Sequence, residues 1–355
     1  MSKIEIIGNE KCWIEDMAKQ QLNSVGNLKD VIRAVGLPDL HPGKGPVGVA
    51  IETKDRIYPH LIGNDIGCGM RFIETGIPKR KYKKEKWIKT LEKINNLKEV
   101  SAISEYEEES PILNLGTIGG GNHFAEFQCL EKVYDNVEFQ KLGFEADDIM
   151  LLIHCGSRGY GEEILREFLN YDGFEVDSEE AKRYMIKHDN ALLWAKRNRE
   201  VVGNKIMDYL GFSGERKMII DCNHNFIEKR EDTFIHRKGA VSSGQGAVII
   251  PGSRGSLTYI VLPTNNKELS AYSLSHGAGR KWARGLCKSR LKDKYTKETI
   301  KETKIKSSVI CQDSNLLYEE ATEAYKNVDE IINCLIEYDL IKVIATMKPL
   351  LTFKG

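Results

Sequence analysis

Six of the eight histidines sit in short glycine-rich or polar motifs: His41 in HPGKGPVG, His123 in GTIGGGNH, His154 in HCGSRGYG, His224 in DCNHNF, His236 in HRKGAV and His276 in SLSHGAGR. His60 and His188 lack such company. Glycine inside a helix or strand costs roughly 0.5–1 kcal/mol relative to alanine, so glycines in this density mark turns at the ends of regular elements. Histidines held in such turns are placed for chemistry. The motifs run from residue 41 to 280 with no Pro/Ser-rich linker between them. One site drawing on the whole chain is therefore expected, with residues 1–355 forming a single catalytic domain.

The 355 residues carry 52 Lys plus Arg against 52 Asp plus Glu, a formal charge of zero, which excludes a chain-wide basic coat for nucleic acid. No apolar run reaches the roughly 18 residues of a membrane span, and the start, MSKIEIIGNEKCWIEDM, is too acidic for a signal peptide. A cytoplasmic protein with no membrane partner is expected. The eight cysteines, scattered without C-x-x-C pairs, read as reduced thiols, most of them small core residues.

The patterning predicts helices at Lys11–Asn23 and at Ser178–Leu210, the latter with Asp177 or Ser178 as N-cap, and a helix opening at Gly277 and running through KWARGLCKSRL. Strands are predicted at Pro46–Glu52, Ile149–His154, Met218–Ile227, Ala247–Pro251 and Leu257–Leu262. Strands and helices mix without regular βαβ alternation, which predicts an α+β fold. Two basic runs, Lys79–Lys89 and Lys288–Lys306, read first as solvated faces and secondarily as a phosphate-contacting rim.

In GNDIGCGMRF the glycines let Asp65 and Cys68 crowd one point, and a hard and a soft anion three residues apart suit a divalent transition metal. Alone, this could be a tight turn around a buried cysteine. The glycine run ending at Asn122 and His123 could form an anion-binding nest, with His123 on metal and Asn122 donating to a phosphate. His154 closes an apolar strand, and Arg158 beyond it could grip a phosphate through a bidentate fork. Asp221, His224 and Asn225 repeat the strand-end pattern. Asp65, Cys68, His123, His154 and His224 exceed one tetrahedral site, so two adjacent metal ions sharing ligands is the natural reading. His276, read as sitting at a helix N-terminus, could be a ligand, a general base or a nucleophile. HRKGAV and IIPGSRGS offer further donors to a phosphate-bearing ligand.

In order, HPGKGPVG, GNDIGCGMRF, GTIGGGNHFAEF, HCGSRGYG, NHNFIE, HRKGAV, IIPGSRG, SHGAGR, EAYKNVDEII and the terminal KG resemble the RtcB family of RNA-splicing ligases from about His41 to Gly355. The resemblance implies central β-sheets flanked by helices, with the metal site in a central cleft. It implies a GTP-dependent ligase with two Mn²⁺ ions, joining RNA 3′-phosphate or 2′,3′-cyclic phosphate ends to 5′-hydroxyl ends in RNA repair or tRNA splicing. On this reading Asp65, Cys68, His123, His154 and His224 are the metal ligands, and His276 is the nucleophile that becomes a histidine-GMP adduct. Asn122 contacts the GMP phosphate, Glu126, Ser253, Tyr325 and Lys354 the guanine side, and Gly277, Ala278 and Gly279 the ribose. Arg158, Lys238 and Arg280 are the implied RNA-phosphate contacts, and an archease-type activator is a candidate partner. Manganese rests on the resemblance alone, since an N/O/S donor set by itself favours Zn²⁺ or Cu²⁺.

The short SSGQGAV segment and Arg254, where many members carry Met, depart from the family pattern and resemble the branch coupled to the release-factor-H peptide-release system. The alternative to ligation is a metal-dependent RNA end-processing phosphohydrolase using the same ligands without nucleotide transfer. A non-catalytic RNA-binding protein would leave Asp65, Cys68 and His276 without a purpose.

Overall fold

The computed structural model of the protein describes residues 2–94 and 115–355. Two β-sheets stack face to face, each with helices on its outer side, giving the expected α+β arrangement. The larger sheet runs Val248–Pro251, Thr258–Pro263, Ile341–Lys354, Phe124–Val133, Asp148–Cys155, Gly69–Pro78, Lys217–Asn223, with Ser308–Cys311 also paired to Ile341–Lys354. Successive neighbours along that order are antiparallel. The smaller sheet runs Lys3–Ile6, Val31–His41, Val47–Thr53, Thr233–Lys238, Asn225–Arg230.

Side chains alternate across a strand, and the sequence uses both faces of the larger sheet. Met70, Phe72, Met150, Leu152 and Cys222 face inward and meet Val35, Leu37, Ala50 and Ile235 of the smaller sheet in one buried cluster. Ile73, Leu151 and Ile153 face the other way, onto Val202 and Ile206 of the long helix Glu179–Tyr209. Ala18 and Leu22 of helix Asp16–Gly26 cover the outer face of the smaller sheet at Ala34, Val49 and Ile51. Each fully buried large aliphatic contributes about 1.5–3 kcal/mol, so the sandwich holds the rims of the sheets rigidly in place.

Several expectations need correction. The first helix begins at Asp16 and not at Lys11, because the Asn9 side chain accepts from the backbone N–H groups of Lys11 and Cys12 and holds that stretch in a turn. The long helix starts as expected, with Ser178 Oγ accepting from the Ala181 N–H at 3.2 Å. The strand expected over Met218–Ile227 is two strands that belong to different sheets, and His224 is the residue at the hand-over. Two long strands, Val31–His41 and Ile341–Lys354, are not among those expected, and each carries an internal proline, Pro38 or Pro349. Both prolines fall where the ladder register shifts, which is where a strand tolerates them.

The helix expected from Gly277 begins only at Arg284. Residues 277–283 are instead held from outside: Ala278 N–H donates to Pro251 O at 3.2 Å and Lys281 N–H to Ala324 O at 2.7 Å, and Arg280 bridges Tyr325. Gly-Ala-Gly has little helical preference to oppose that pairing.

The first basic run forms helix Lys84–Leu91, with Trp87 and Leu91 buried and its lysines outward. The second forms the end of helix Arg284–Leu291 and the irregular stretch after it. All eight cysteines are buried and free. No helix among the described residues is long and apolar enough to cross a membrane.

Candidate active site

Because neighbouring strands of the larger sheet are antiparallel, their ends and starts alternate along one rim: Pro251, Thr258, Lys354, Phe124, Cys155, Gly69 and Asn223. The register pairs His154 with both Phe124 and Met70, and Gly69 with both Cys155 and Asn223. Cys68, His123 and His224, each one residue beyond a strand terminus, are thereby brought beside His154. Cys68 Sγ lies 3.3 Å from His123 Nε2 and 3.3 Å from His154 Nε2. His154 Nε2 lies 3.3 Å from His224 Nε2, and Asp65 Oδ2 lies 2.9 Å from His123 Nε2.

These atoms form two overlapping groups, Cys68–His154–His224 and Asp65–Cys68–His123, with donor atoms within 4.8 Å of one another in each. Cys68 belongs to both, which is the arrangement two neighbouring cations sharing a thiolate require. The protonation states fit. Burial, then the charges of neighbouring histidines, hold His154 and His224 well below the usual imidazole range, so both are neutral. Burial, then the Asp65 charge, pushes the Cys68 thiol well above its ordinary value, so a cation is what would make it a thiolate. Burial raises the Asp65 carboxyl, but the hydrogen bond and charge of His123 and the charge of Arg158 outweigh it and hold the group ionised. His154 is aimed by a 3.1 Å contact from Nδ1 to the Asn122 carbonyl. Gly156 lets the Asp65 carboxylate lie against the backbone, because a Cβ there would sit 2.4 Å from Asp65 Oδ1 and displace it.

His276 stands beside this cluster, its ring centroid 4.8 Å from that of His224. Its Nδ1 is 2.7 Å from Oδ2 of Asp39, a fully buried carboxylate that also accepts from the His276 backbone N–H at 3.2 Å. Burial raises Asp39, but the hydrogen bond and charge of His276 bring it below the carboxylate range. An ionised Asp39 takes its hydrogen bond from Nδ1 and orients the ring, with Nε2 on the side away from the carboxylate. His276, Asn122 and Arg284 line two cavities at once. One, of about 510 Å³, also contains Asp65, Cys68, His123 and His224; the other, of about 230 Å³, contains Glu126, Ser253, Gly277, Tyr325 and Lys354.

The sequence matches the family model described as tRNA-splicing ligase RtcB, over residues 21–100 and 79–355. This chain belongs to the RtcB family. Among its RtcB relatives, an Escherichia coli protein named RNA-splicing ligase RtcB2 is 41% identical over 98% of this chain and 95% of its own length. RNA-splicing ligase RtcB of Escherichia coli K12 is 28% identical over 96% of this chain and 95% of its own length. The tRNA-splicing ligase RtcB of Nanoarchaeum equitans is 25% identical over 96% and 92%.

Of the sequence-predicted RtcB residues, Asp65, Cys68, His123, His154 and His224 converge as described, and Asn122 lies between the two cavities. Glu126, Ser253, Gly277, Ala278, Gly279, Tyr325 and Lys354 line the smaller cavity. Burial lifts Glu126 to about 7 despite hydrogen bonds from Thr352 and Gln128, so it is a hydrogen-bond donor near neutrality as well as an acceptor. Arg158 donates its backbone N–H to Asp65 at 3.0 Å, and its Nη1 lies 2.8 Å from His123 Nδ1. Its φ of 58° is a strained conformation for a non-glycine residue, kept where geometry matters. Lys238 lines the larger cavity, and burial followed by the charge of Lys44 lowers it to about 8.

Arg280 lines only the smaller cavity, where Nη1 bonds Glu320 at 3.0 Å and Nη2 the Glu319 carbonyl at 2.8 Å. Asp221, read from sequence as a polar group near the site, is taken up by Arg71 and Arg199, each at 2.6 Å. His188 and His236 are structural, accepting from the backbone N–H of Ile227 and Tyr58. Three residues of the site were not read from sequence: Asp39, Arg284 and Glu320. Burial opposes the charge of Glu320, but Lys354, Arg284 and Arg280 hold it at about 2. The DL ahead of HPG was the available signal for Asp39; Glu320 and Arg284 lie in charged stretches with nothing to set them apart.

Proposed function

We propose that this chain is an RNA ligase that joins a 3′-phosphate or 2′,3′-cyclic phosphate end to a 5′-hydroxyl end, using GTP and two Mn²⁺ ions. The observation that carries the reading is His276, which lines both cavities while its Nδ1 is held 2.7 Å from Asp39 Oδ2. Asp65, Cys68, His123, His154 and His224 would hold the metal, which supplies Lewis-acid neutralisation of charge on phosphate oxygens.

His276 Nε2 attacks the α-phosphorus of GTP, the N–P bond forms, and the bond to the departing pyrophosphate breaks. Asp39 stabilises the positive charge that builds on the ring as this happens. Asn122 and the backbone of Gly277–Gly279 position the nucleotide; Glu126, Ser253, Tyr325 and Lys354 take the base side. An RNA 3′-phosphate, formed by water opening a cyclic end, then displaces His276 and becomes RNA(3′)pp(5′)G. The 5′-hydroxyl attacks the RNA-side phosphorus and GMP leaves, so the nucleotide supplies the leaving group a bare phosphate lacks. Lys238, with no acidic partner among the described residues, and Arg158 present cations to the RNA phosphates, while Arg280 acts from the nucleotide wall. Residues 1–355 act as one catalytic unit, and the RNA-repair role of the release-factor-H-coupled branch is the biological setting we favour. An archease-type activator is a candidate partner.

Two RNAs carrying 3′-phosphate and 5′-hydroxyl ends, incubated with protein, GTP and Mn²⁺, should give a joined product whose formation needs GTP. Accumulation of 3′-phosphate from cyclic ends, with GTP irrelevant and no joined RNA, would make the chain a phosphohydrolase instead.

A further inference from the structure

A further cavity, of about 460 Å³, shares no lining residue with the two at the candidate active site. Arg80, Lys81, Lys83 and Lys86 line it together with Trp87, Leu210 and Phe212. The four cations are exposed. The stretch Lys79–Lys89 holds seven Lys or Arg and one Glu, on a chain whose formal charge is zero. Among the described residues only Lys84 of that run has an acidic partner, Glu302 at 2.7 Å. Exposed lysines elsewhere are paired within their own helices, Lys19 with Asp16, Lys141 with Glu138 and Lys182 with Glu179. Unpaired like charges within a Debye length of about 8–10 Å repel one another, and a polyanion relieves them.

The cations stand on a fixed base. Trp87 is buried, its ring 4.8 Å from that of Phe127, 5.1 Å from Tyr82 and 5.7 Å from Phe212, all edge-on. Lys79 N–H donates to the Asp147 carbonyl at 2.8 Å, which holds the turn that carries Arg80 and Lys81. Phe127 lies in the strand that opens at Phe124, next to His123. At about 3.3 Å per residue it stands roughly 13 Å from His123, close enough for one RNA to occupy both places. Resting on the chain's membership of an RNA-ligase family, we propose that this groove is a second RNA-contacting surface. It holds the phosphate backbone of the substrate away from the ends being joined. Cations of this kind position a strand without reading its sequence.

The test follows binding by fluorescence anisotropy over a salt series, with the full chain and no GTP. Two RNAs ending in 3′-phosphate are compared, one of about 30 nucleotides that spans both surfaces and one of about 5 that fills only the active site. Combining Arg80→Ser, Lys81→Ser, Lys83→Ser and Lys86→Ser should flatten the slope of log K against log salt by about 2–3 for the long RNA, at ~0.7 per phosphate contact. Lys86→Ser alone should flatten it by about 0.7. The short RNA should keep its slope. A control combining Lys19→Ser, Lys54→Ser, Lys141→Ser and Lys182→Ser lowers the net charge equally and should leave the long-RNA slope in place. An unchanged slope in the groove variant, or an equal loss in the control, would overturn the inference. So would an equal loss on the short RNA, which would put these cations at the active site. If the unaltered protein binds neither RNA, the reading of the chain as an RNA ligase falls, and this inference with it.

Discussion

The donor cluster and the wall of the smaller cavity adjoin one rim of the larger sheet, yet they settle their charges in opposite ways. The cluster crowds three imidazoles, a carboxylate and a thiol raised by burial into contact, with no lysine or arginine within the ligand set. The wall gathers its cations on its own carboxylate: Glu320 pairs with Arg280, Arg284 and Lys354, with Arg254 outside the group. A region that waits for an external cation is built for binding at some expense of stability. A region closed by its own ion pairs is built as a rigid surface against which a ligand can be read.

The largest effect should come at the seam between the two regions. Asp39→Ala removes the carboxylate that fixes the His276 tautomer, and nucleotide transfer should slow about 10³- to 10⁴-fold with guanosine-nucleotide binding retained. Single-turnover transfer and calorimetry on the same preparation read the two quantities. Loss of binding as large as the loss of transfer would place Asp39 in folding.

Next, Cys68→Ala should weaken divalent-metal binding at least tenfold while changing the unfolding free energy of the metal-free protein by no more than about 1 kcal/mol. Metal titration and denaturant melts check it. A large loss of metal-free stability would show that the cluster is structural.

The wall should behave in reverse. Glu320→Gln leaves Arg280, Arg284 and Lys354 without their shared anion and should destabilise the fold by ~3–5 kcal/mol. The pH dependence has the same origin. Glu320 is held at about 2, against 4.5 for the free side chain, so its contribution is fully present above pH 4.5 and fades as pH falls toward 2. At neutral pH that contribution is of the order of 3 kcal/mol. Acid melts of the native protein should show this loss, and Glu320→Gln melts should lack it.

The smallest effect belongs to the basic rim. Arg80, Lys81, Lys83 and Lys86 are exposed around a cavity of about 460 Å³. Replacing any one by serine should change stability by less than about 0.5 kcal/mol.

The same contrast explains what the sequence disclosed. Cys68, His123, His154 and His224 were legible because each lies at a strand terminus next to glycine or a polar turn, and local pattern marks such places. The α+β class and the capped helix at Ser178 were legible for the same reason. The wall of the smaller cavity was only partly so. Glu320 and Arg284 act through partners distant in the chain, and Asp39 lies in a strand disguised by Pro38. The helix expected at Gly277 failed because Pro251 and Ala324 take its backbone groups. In the proposed mechanism His276 would owe its reactivity to Asp39 and the cluster, since the nearest helix starts only at Arg284.

The most direct measurement is the fate of label from GTP carrying radioactive α-phosphate, followed by mass spectrometric mapping of the modified residue. The account predicts one acid-labile GMP per chain, on His276, formed only with a divalent metal and absent in His276→Ala. Failure to form an adduct with any divalent metal, or an adduct on a lysine instead, would contradict it.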